Sequence, residues 1–347
     1  MRVVLTGAAG FIGGAVATAL TEAGYEVVGV DVMLPQAHGD DAPLPPDVLL
    51  RDVRDADAWT DLLRGADAVC HQAAVVGAGV KVADLPEYAS HNDLGTAVLL
   101  AAMHTVGVDR LVLASSMVVY GEGRYRCAEH GDVTPPPRPV AALEAGDFEV
   151  RCPRCAGALA WATIDEDAPL APRGAYAASK AAQEHYAASW VRQAGAAAVA
   201  LRYHNVYGPH MPRDTPYSGV AAMFRSALER GEAPRVYEDG TQVRDFVHVA
   251  DVARANVRAL EAVAAADAGD WRAYNVASGR PVAIREVAEL VAAGTGRGIS
   301  PEVTGEFRPG DVRHIVASPE LAERELGFRA EVRPEDGLAE FATAPLR

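Results

Sequence analysis

The chain has 347 residues, half of them apolar and 23% charged, with a formal net charge of −15. That balance can fill a large core, which excludes disorder as the main state, and the length points to two domains or one large domain with an appendage. The acidity argues against nucleic acid or an anionic membrane surface as partner, and no apolar run approaches the roughly 18 residues of a membrane span.

The chain opens directly on a strand, MRVVL, with no signal-peptide pattern, so a cytoplasmic protein is expected. Strands are predicted at 2–6, 26–30, 48–50, 68–70, 110–114 and 197–201. Helices are predicted at 11–23, 55–63, 88–105 and 176–193. Alternation of this kind predicts an α/β fold with a Rossmann-type, doubly wound parallel sheet. After about residue 205 the pattern changes to strands at 235–237 and 273–276, and helices at 220–230, 249–264 and 284–293. The expected division is a dinucleotide-binding domain over 1–204, interrupted by an insertion at 124–165. A smaller α/β substrate lobe follows over 205–347, with the chain crossing between the two.

Gly7, Gly10, Phe11, Ile12 and Gly13 lie where the first strand turns into the first helix. Small residues there let a backbone approach a diphosphate, and the helix N-terminus supplies oriented N–H groups. Asp31 ends the second strand, 18 residues after Gly13. A carboxylate at that point can hold both ribose hydroxyls of an adenosine and repels a 2′-phosphate, which favours NAD over NADP. Asp52 and Val53 follow the third strand and are expected along the adenine.

Tyr176 and Lys180 are four apart on a predicted helix and so share a face. An ammonium beside a phenol lowers its pKa and prepares it to exchange a proton during hydride transfer. The chain has only two lysines, Lys81 and Lys180, among 32 basic residues, so a lysine kept at 180 carries weight. Ser116 ends the strand predicted from residue 110, on the side of a doubly wound sheet that faces the ligand crevice.

These residues resemble the extended short-chain dehydrogenase/reductases, and within them the nucleotide-sugar epimerases and dehydratases. The resemblance is carried by the glycine loop, Asp31, the run His71-Gln72-Ala73-Ala74, Ser116, Tyr176 and Lys180. It continues through Leu201-Arg202-Tyr203-His204-Asn205-Val206-Tyr207-Gly208-Pro209 and Arg244-Asp245-Phe246-Val247-His248. It implies bound NAD, with Gln72, Ala73, Ala74, Asn92 and Tyr203 added to its contacts, and Ser116, Tyr176 and Lys180 as the catalytic set. It implies a nucleotide-diphosphate sugar in the second lobe, held by Ser116, Met117, Asn205, Arg244, Arg308 and Asp311. A homodimer formed through the helices at 88–105 and 176–193 is implied in the same way.

Dehydratases of this group carry Asp-Glu directly after the catalytic Ser or Thr, and one decarboxylase type carries Glu two positions after it. Here those positions are Met117 and Val118, which cannot move protons. The reaction left is 4-epimerisation: oxidation at sugar C4, turning of the ring, and re-reduction on the other face. Apolar Val75 and Val76 suit a turning ring or a 6-deoxy methyl group. Residues 215–220 and the insertion resemble those of 4-epimerases acting on a dTDP-6-deoxyhexose, which implies that substrate class. UDP-glucose/galactose or UDP-uronate 4-epimerisation, a nucleotide-sugar reductase or dehydrogenase, and a catalytically silent NAD-binding scaffold are the alternatives.

The connection between Ser116 and Tyr176 is 59 residues long, unusual for an unsupported loop. It holds Cys127 and His130 as C-x2-H, then Cys152 and Cys155 as C-x2-C. That is a Cys3His set for a closed, structural zinc site. A redox CxxC is the competing reading, without the surrounding pattern it needs. Cys70, in a core strand, is expected to be inert.

Overall fold

In the computed structural model, residues 1–77, 82–213 and 219–347 are described. Lys81 and most of the segment 215–220 therefore lie outside the described residues. Seven parallel strands form the central sheet, in the order Trp271–Val276, Ala197–Tyr203, Arg110–Ser116, Ala68–His71, Arg2–Thr6, Glu26–Asp31, Val48–Leu50. The inner strands are apolar on both faces because helices cover both. Val16 and Leu20 of the helix Phe11–Glu22, with Val252, Ala259 and Val263 of Val249–Ala265, close one side. Trp59, Leu99, Met103 and Trp190 close the other.

The strand order reverses between Arg2–Thr6 and Ala68–His71, so the loops leaving their carboxyl ends open a crevice at the switch point. Thr6 ties the second loop down. Its hydroxyl bonds His71 Nδ1 at 2.7 Å and accepts the N–H groups of Gln72 and Ala73.

The second lobe is built on a three-stranded sheet in which Val243–His248 pairs with Asn205–Tyr207 and Pro281–Ala283. Its core gathers Tyr207, Phe246, Phe224, Val287 and Phe341. Two elements in the stretch assigned to this lobe belong instead to the first layer: the helix Val249–Ala265 and the strand Trp271–Val276, which pairs with Ala197–Tyr203. The chain thus leaves the main sheet after Tyr203, returns with Val249, and leaves it again after Val276.

The helix expected over 88–105 is three pieces: Leu85–Tyr88, a π-helical turn Ala89–Leu94, and Gly95–Val106. Asn92, in the wider turn, is fully buried. Its amide bonds the backbone of Val75 in both directions and the Ser179 hydroxyl.

The insertion folds as an antiparallel sheet of Arg124–Cys127, Gly131–Val133 and Ala160–Ala162, with the short helix Val140–Glu144. One buried apolar cluster inside it gathers Tyr125, Cys127, Val150, Cys152 and Leu159. Charge fastens it to the second lobe. Arg138 and Arg313 both bond the buried Glu238 carboxylate, and Arg313 also reaches Asp239 and Glu149. No helix among the described residues is long and apolar enough to cross a membrane.

Candidate active site

The crevice at the switch point encloses about 320 Å³ and is lined by Gly7, Gly10, Phe11, Ile12, Gly13, Asp31, Val53, Gln72, Ala73, Ala74, Tyr176, Lys180, Tyr203 and Asn205. Two glycines are required by geometry. Gly7 sits at φ +70°, and a Cβ there would come within 2.8 Å of the Ala73 nitrogen. A Cβ on Gly13 would lie 1.9 Å from the Gly7 carbonyl oxygen. The helix Phe11–Glu22 begins without any side-chain cap, so its first N–H groups remain available to an anion. Asp31 accepts the N–H groups of Ala9 and Met33. Burial alone would raise its pKa, but His38 and these donors outweigh it and hold the carboxyl below its usual range. These features fit a dinucleotide: a close backbone approach for the diphosphate and an ionised acid for a ribose.

Two residues expected at the cofactor are not on this wall. Asp52 lies on a neighbouring surface depression, its carboxylate taken by Arg54. Asn92 braces the Val75 loop against the long helix from behind.

Tyr176 and Lys180 project from the first turns of the helix Ala175–Ala194, and Ser116 ends its strand beside them. The Ser116 hydroxyl, which accepts the Val118 N–H at 3.4 Å, lies near the phenol of Tyr176. Lys180 Nζ donates to the carbonyl of Ala114 at 2.9 Å and sits 6.0 Å from the centre of the Tyr176 ring. The expectation that Lys180 lowers the phenol's pKa is corrected for the protein alone. Burial pushes Tyr176 above its ordinary value, the neighbouring Ser116 hydroxyl pulls the other way, and nearby Tyr88 adds to the rise. Lys180 is itself pulled down to about 7, because burial penalises its ammonium more than Glu184 supports it.

Behind this set lies a network that the sequence reading missed. Glu184, one turn past Lys180, accepts from the Ser115 hydroxyl and from the Arg202 guanidinium, which also bonds the Tyr120 hydroxyl. The i, i+4 spacing of Lys180 and Glu184 was a visible signal; the strand partners Ser115 and Arg202 were not. Asn256, from the helix Val249–Ala265, joins the hydroxyl of Tyr203 to the amide of Gln72.

On the substrate side, Asn205 donates to the Asp245 carbonyl at 2.9 Å and lies 3.6 Å from the Met117 sulfur. Arg244 is held by the carbonyls of Val243, Val312 and Arg313, next in the chain to Asp311. Burial lowers the Arg244 pKa and raises that of Asp311. The Arg308 guanidinium lies 5.1 Å over the Tyr237 ring. Arg138 of the insertion donates to the Asp311 carbonyl. The insertion therefore touches the turn that carries Arg308 and Asp311.

The four insertion residues converge. The ligand atoms of Cys127, His130, Cys152 and Cys155 all lie within 4.8 Å of one another. Cys127 Sγ is 3.7 Å from Cys155 Sγ and 3.5 Å from His130 Nδ1, which is 3.6 Å from Cys152 Sγ. A tetrahedron with metal–sulfur bonds of about 2.3 Å and a metal–nitrogen bond of about 2.05 Å has edges of roughly 3.8 and 3.5 Å.

In comparison with known proteins, residues 3–142 and 156–277 match the NAD dependent epimerase/dehydratase family. The unmatched residues between these ranges fall inside the insertion and contain Cys152 and Cys155. A dTDP-L-rhamnose 4-epimerase of Burkholderia thailandensis is 33% identical, over 99% of this chain and 94% of that protein. Among solved structures, the UDP-N-acetylglucosamine 4-epimerase from Methanobrevibacter ruminantium, in complex with UDP-N-acetylmuramic acid, matches with a TM-score of 0.78 at 27% identity, covering 98% of this chain and 96% of that one. The UDP-glucose 4-epimerase of Thermus thermophilus, in complex with NAD, matches at 0.76 and 31%, covering 99% and 98%.

Proposed function

Because this chain belongs to the NAD-dependent epimerase/dehydratase family, we propose that it inverts C4 of a nucleotide-diphosphate hexose, a dTDP-6-deoxyhexose before a UDP-hexose. The observation that carries this reading is Tyr176 on the crevice wall with Lys180, close to Ser116 at its strand end; Ser116 is followed in sequence by Met117 and Val118, which have no proton to give.

The glycine loop, Asp31 and the Gln72–Ala74 loop hold NAD in this reading, with Lys180 and Tyr203 at its far end. When bound, NAD supplies an acceptor that stores two electrons with the C4 hydrogen, and its cationic ring favours a phenolate nearby. Tyr176 takes the proton of the C4 hydroxyl while Ser116 holds the oxygen between them. Asn205, Arg244 and Arg308 grip the diphosphate, so the oxidised sugar can turn about that tether without leaving. Once the C4 hydrogen and its two electrons have come back to the opposite face of the ring, Tyr176 returns the proton to the C4 oxygen, and the net redox change is zero. Val75 on the crevice wall gives a 6-methyl group an apolar neighbour, and the relative named for dTDP-L-rhamnose supports the same choice.

The insertion holds zinc through Cys127, His130, Cys152 and Cys155. The edge lengths of the cluster support this, as does the burial of Cys127 and Cys152 in the same apolar cluster of the insertion. Such a thiolate set belongs in a reducing compartment such as the cytoplasm. Leu85, Leu94 and Tyr186 are large apolar side chains left exposed on three helical elements. They support a homodimer through that face, checked by light scattering.

The reaction is tested by incubating the protein with dTDP-L-rhamnose and UDP-glucose in heavy water and reading the sugar by NMR. Inversion at C4 without solvent deuterium on carbon, and without net reduction of NAD, is expected. A 4-keto-6-deoxy product, or steady accumulation of reduced NAD, overturns it.

A further inference from the structure

The acidic chain must hold a dianionic diphosphate beside Asp31. The glycine loop and the helix after it, residues 7–22, contain no basic residue until none at all is left to count on: the only charge there is Glu22. Among the described residues, two cations on the crevice wall are already turned elsewhere. Lys180 is at the opposite end, bonded to Ala114, and Arg51 donates to the Leu50 carbonyl.

Arg347 is differently placed. It lines the same crevice, and its Nη1 donates to the carbonyl of Ala9 inside the glycine loop at 2.6 Å. It makes no ion pair within 4.0 Å among the described residues, although the nearby Asp31 carboxylate attracts its charge. The N–H of Ala9 meanwhile bonds Asp31, so one residue of the loop holds a cation on one side and an anion on the other. Residues 345–347 are themselves fastened. His210 donates to Pro345, Arg347 N to Met211, and Arg213 N to Arg347. Leu346 packs in the same apolar cluster as Phe11, the first residue of the helix.

We infer that Arg347 is a diphosphate anchor for the dinucleotide, carried by a strap from the second lobe onto the glycine loop. This rests on the NAD reading above. One guanidinium N–H is used on Ala9, and the remaining donors match phosphate oxygens in a fork. Asp31 is left to the ribose. Because the strap is rooted in the lobe assigned to the sugar, the two ligands share a wall through it.

The test compares the full chain with Arg347→Ala and Arg347→Lys. The dissociation rate of bound NAD is measured, and binding of ADP and of adenosine is titrated after release of NAD. In Arg347→Ala, NAD leaves at least tenfold faster and ADP binds at least tenfold more weakly, while adenosine is unchanged; Arg347→Lys falls between. Equal ADP affinity in Arg347→Ala overturns the inference. So does an equal loss of ADP and adenosine, which marks a purely structural strap. If the unaltered chain binds none of the three ligands, the NAD reading itself fails and takes this inference with it.

Discussion

Lys180 donates its Nζ to the main-chain carbonyl of Ala114 at 2.9 Å, two residues before Ser116 on the same strand. The lysine is 3% exposed, and that burial draws its pKa from 10.5 to about 7. The unfolded chain therefore holds a proton between about pH 7 and 10.5 that the folded chain has released, so this residue makes stability rise with pH across that window. Lys180→Met is expected to flatten the slope and to melt at the same or a higher temperature at pH 7, while activity falls at least a hundredfold. Melting curves between pH 6 and 10, paired with turnover, check both halves. A variant that is less stable at every pH contradicts the account.

Tyr176→Phe removes the proton carrier and keeps the ring. A loss of about 10²–10⁴ in turnover is the ordinary size of a general acid–base contribution. Co-purified NAD and the melting temperature are expected to stay close to those of the unaltered protein. Near-normal turnover by this variant would end the proposed chemistry.

Asp31 is held by two backbone donors with its pKa lowered, and in the proposed reading it sets the cofactor choice by charge. Asp31→Ser is expected to weaken NAD about tenfold, the size of one charged hydrogen bond. The same change admits NADP more readily. Competitive titration of the two dinucleotides measures the switch.

The Cys3His cluster predicts about one zinc per chain by metal analysis of protein prepared without chelator. Cys152→Ser leaves three ligands, and is expected to lose the metal and to melt several degrees lower. Full metal content in that variant would mean that the geometry has been misread.

The main sheet was legible because its strands are short β-branched runs separated by helices of clear length. Arg2–Thr6 and Val48–Leu50 begin and end where the pattern predicts. Asn205–Tyr207 and Pro281–Ala283 were not, since three residues carry no period to detect. Tyr176, Lys180 and Ser116 were visible as a spacing plus a strand end. Their supports were not, because Glu184 meets Arg202 and Ser115 only after the sheet forms. Asn92, expected at the cofactor, has a scaffold role the sequence did not signal: a π-helical turn directs it into the core, where it bonds Val75 and Ser179. Arg347 gave no signal, since its meaning depends on a strap that closes a gap of more than three hundred residues to Ala9.

The insertion departs through Arg124 and comes back through Ala162, which are direct neighbours across an antiparallel pair. A cassette of that shape can be spliced out and its stumps rejoined by a tight hairpin, without stretching the ground on either side. What such surgery would forfeit is the grip of Arg138 on Glu238 and on the turn of Asp311, which the proposed reading places at the nucleotide.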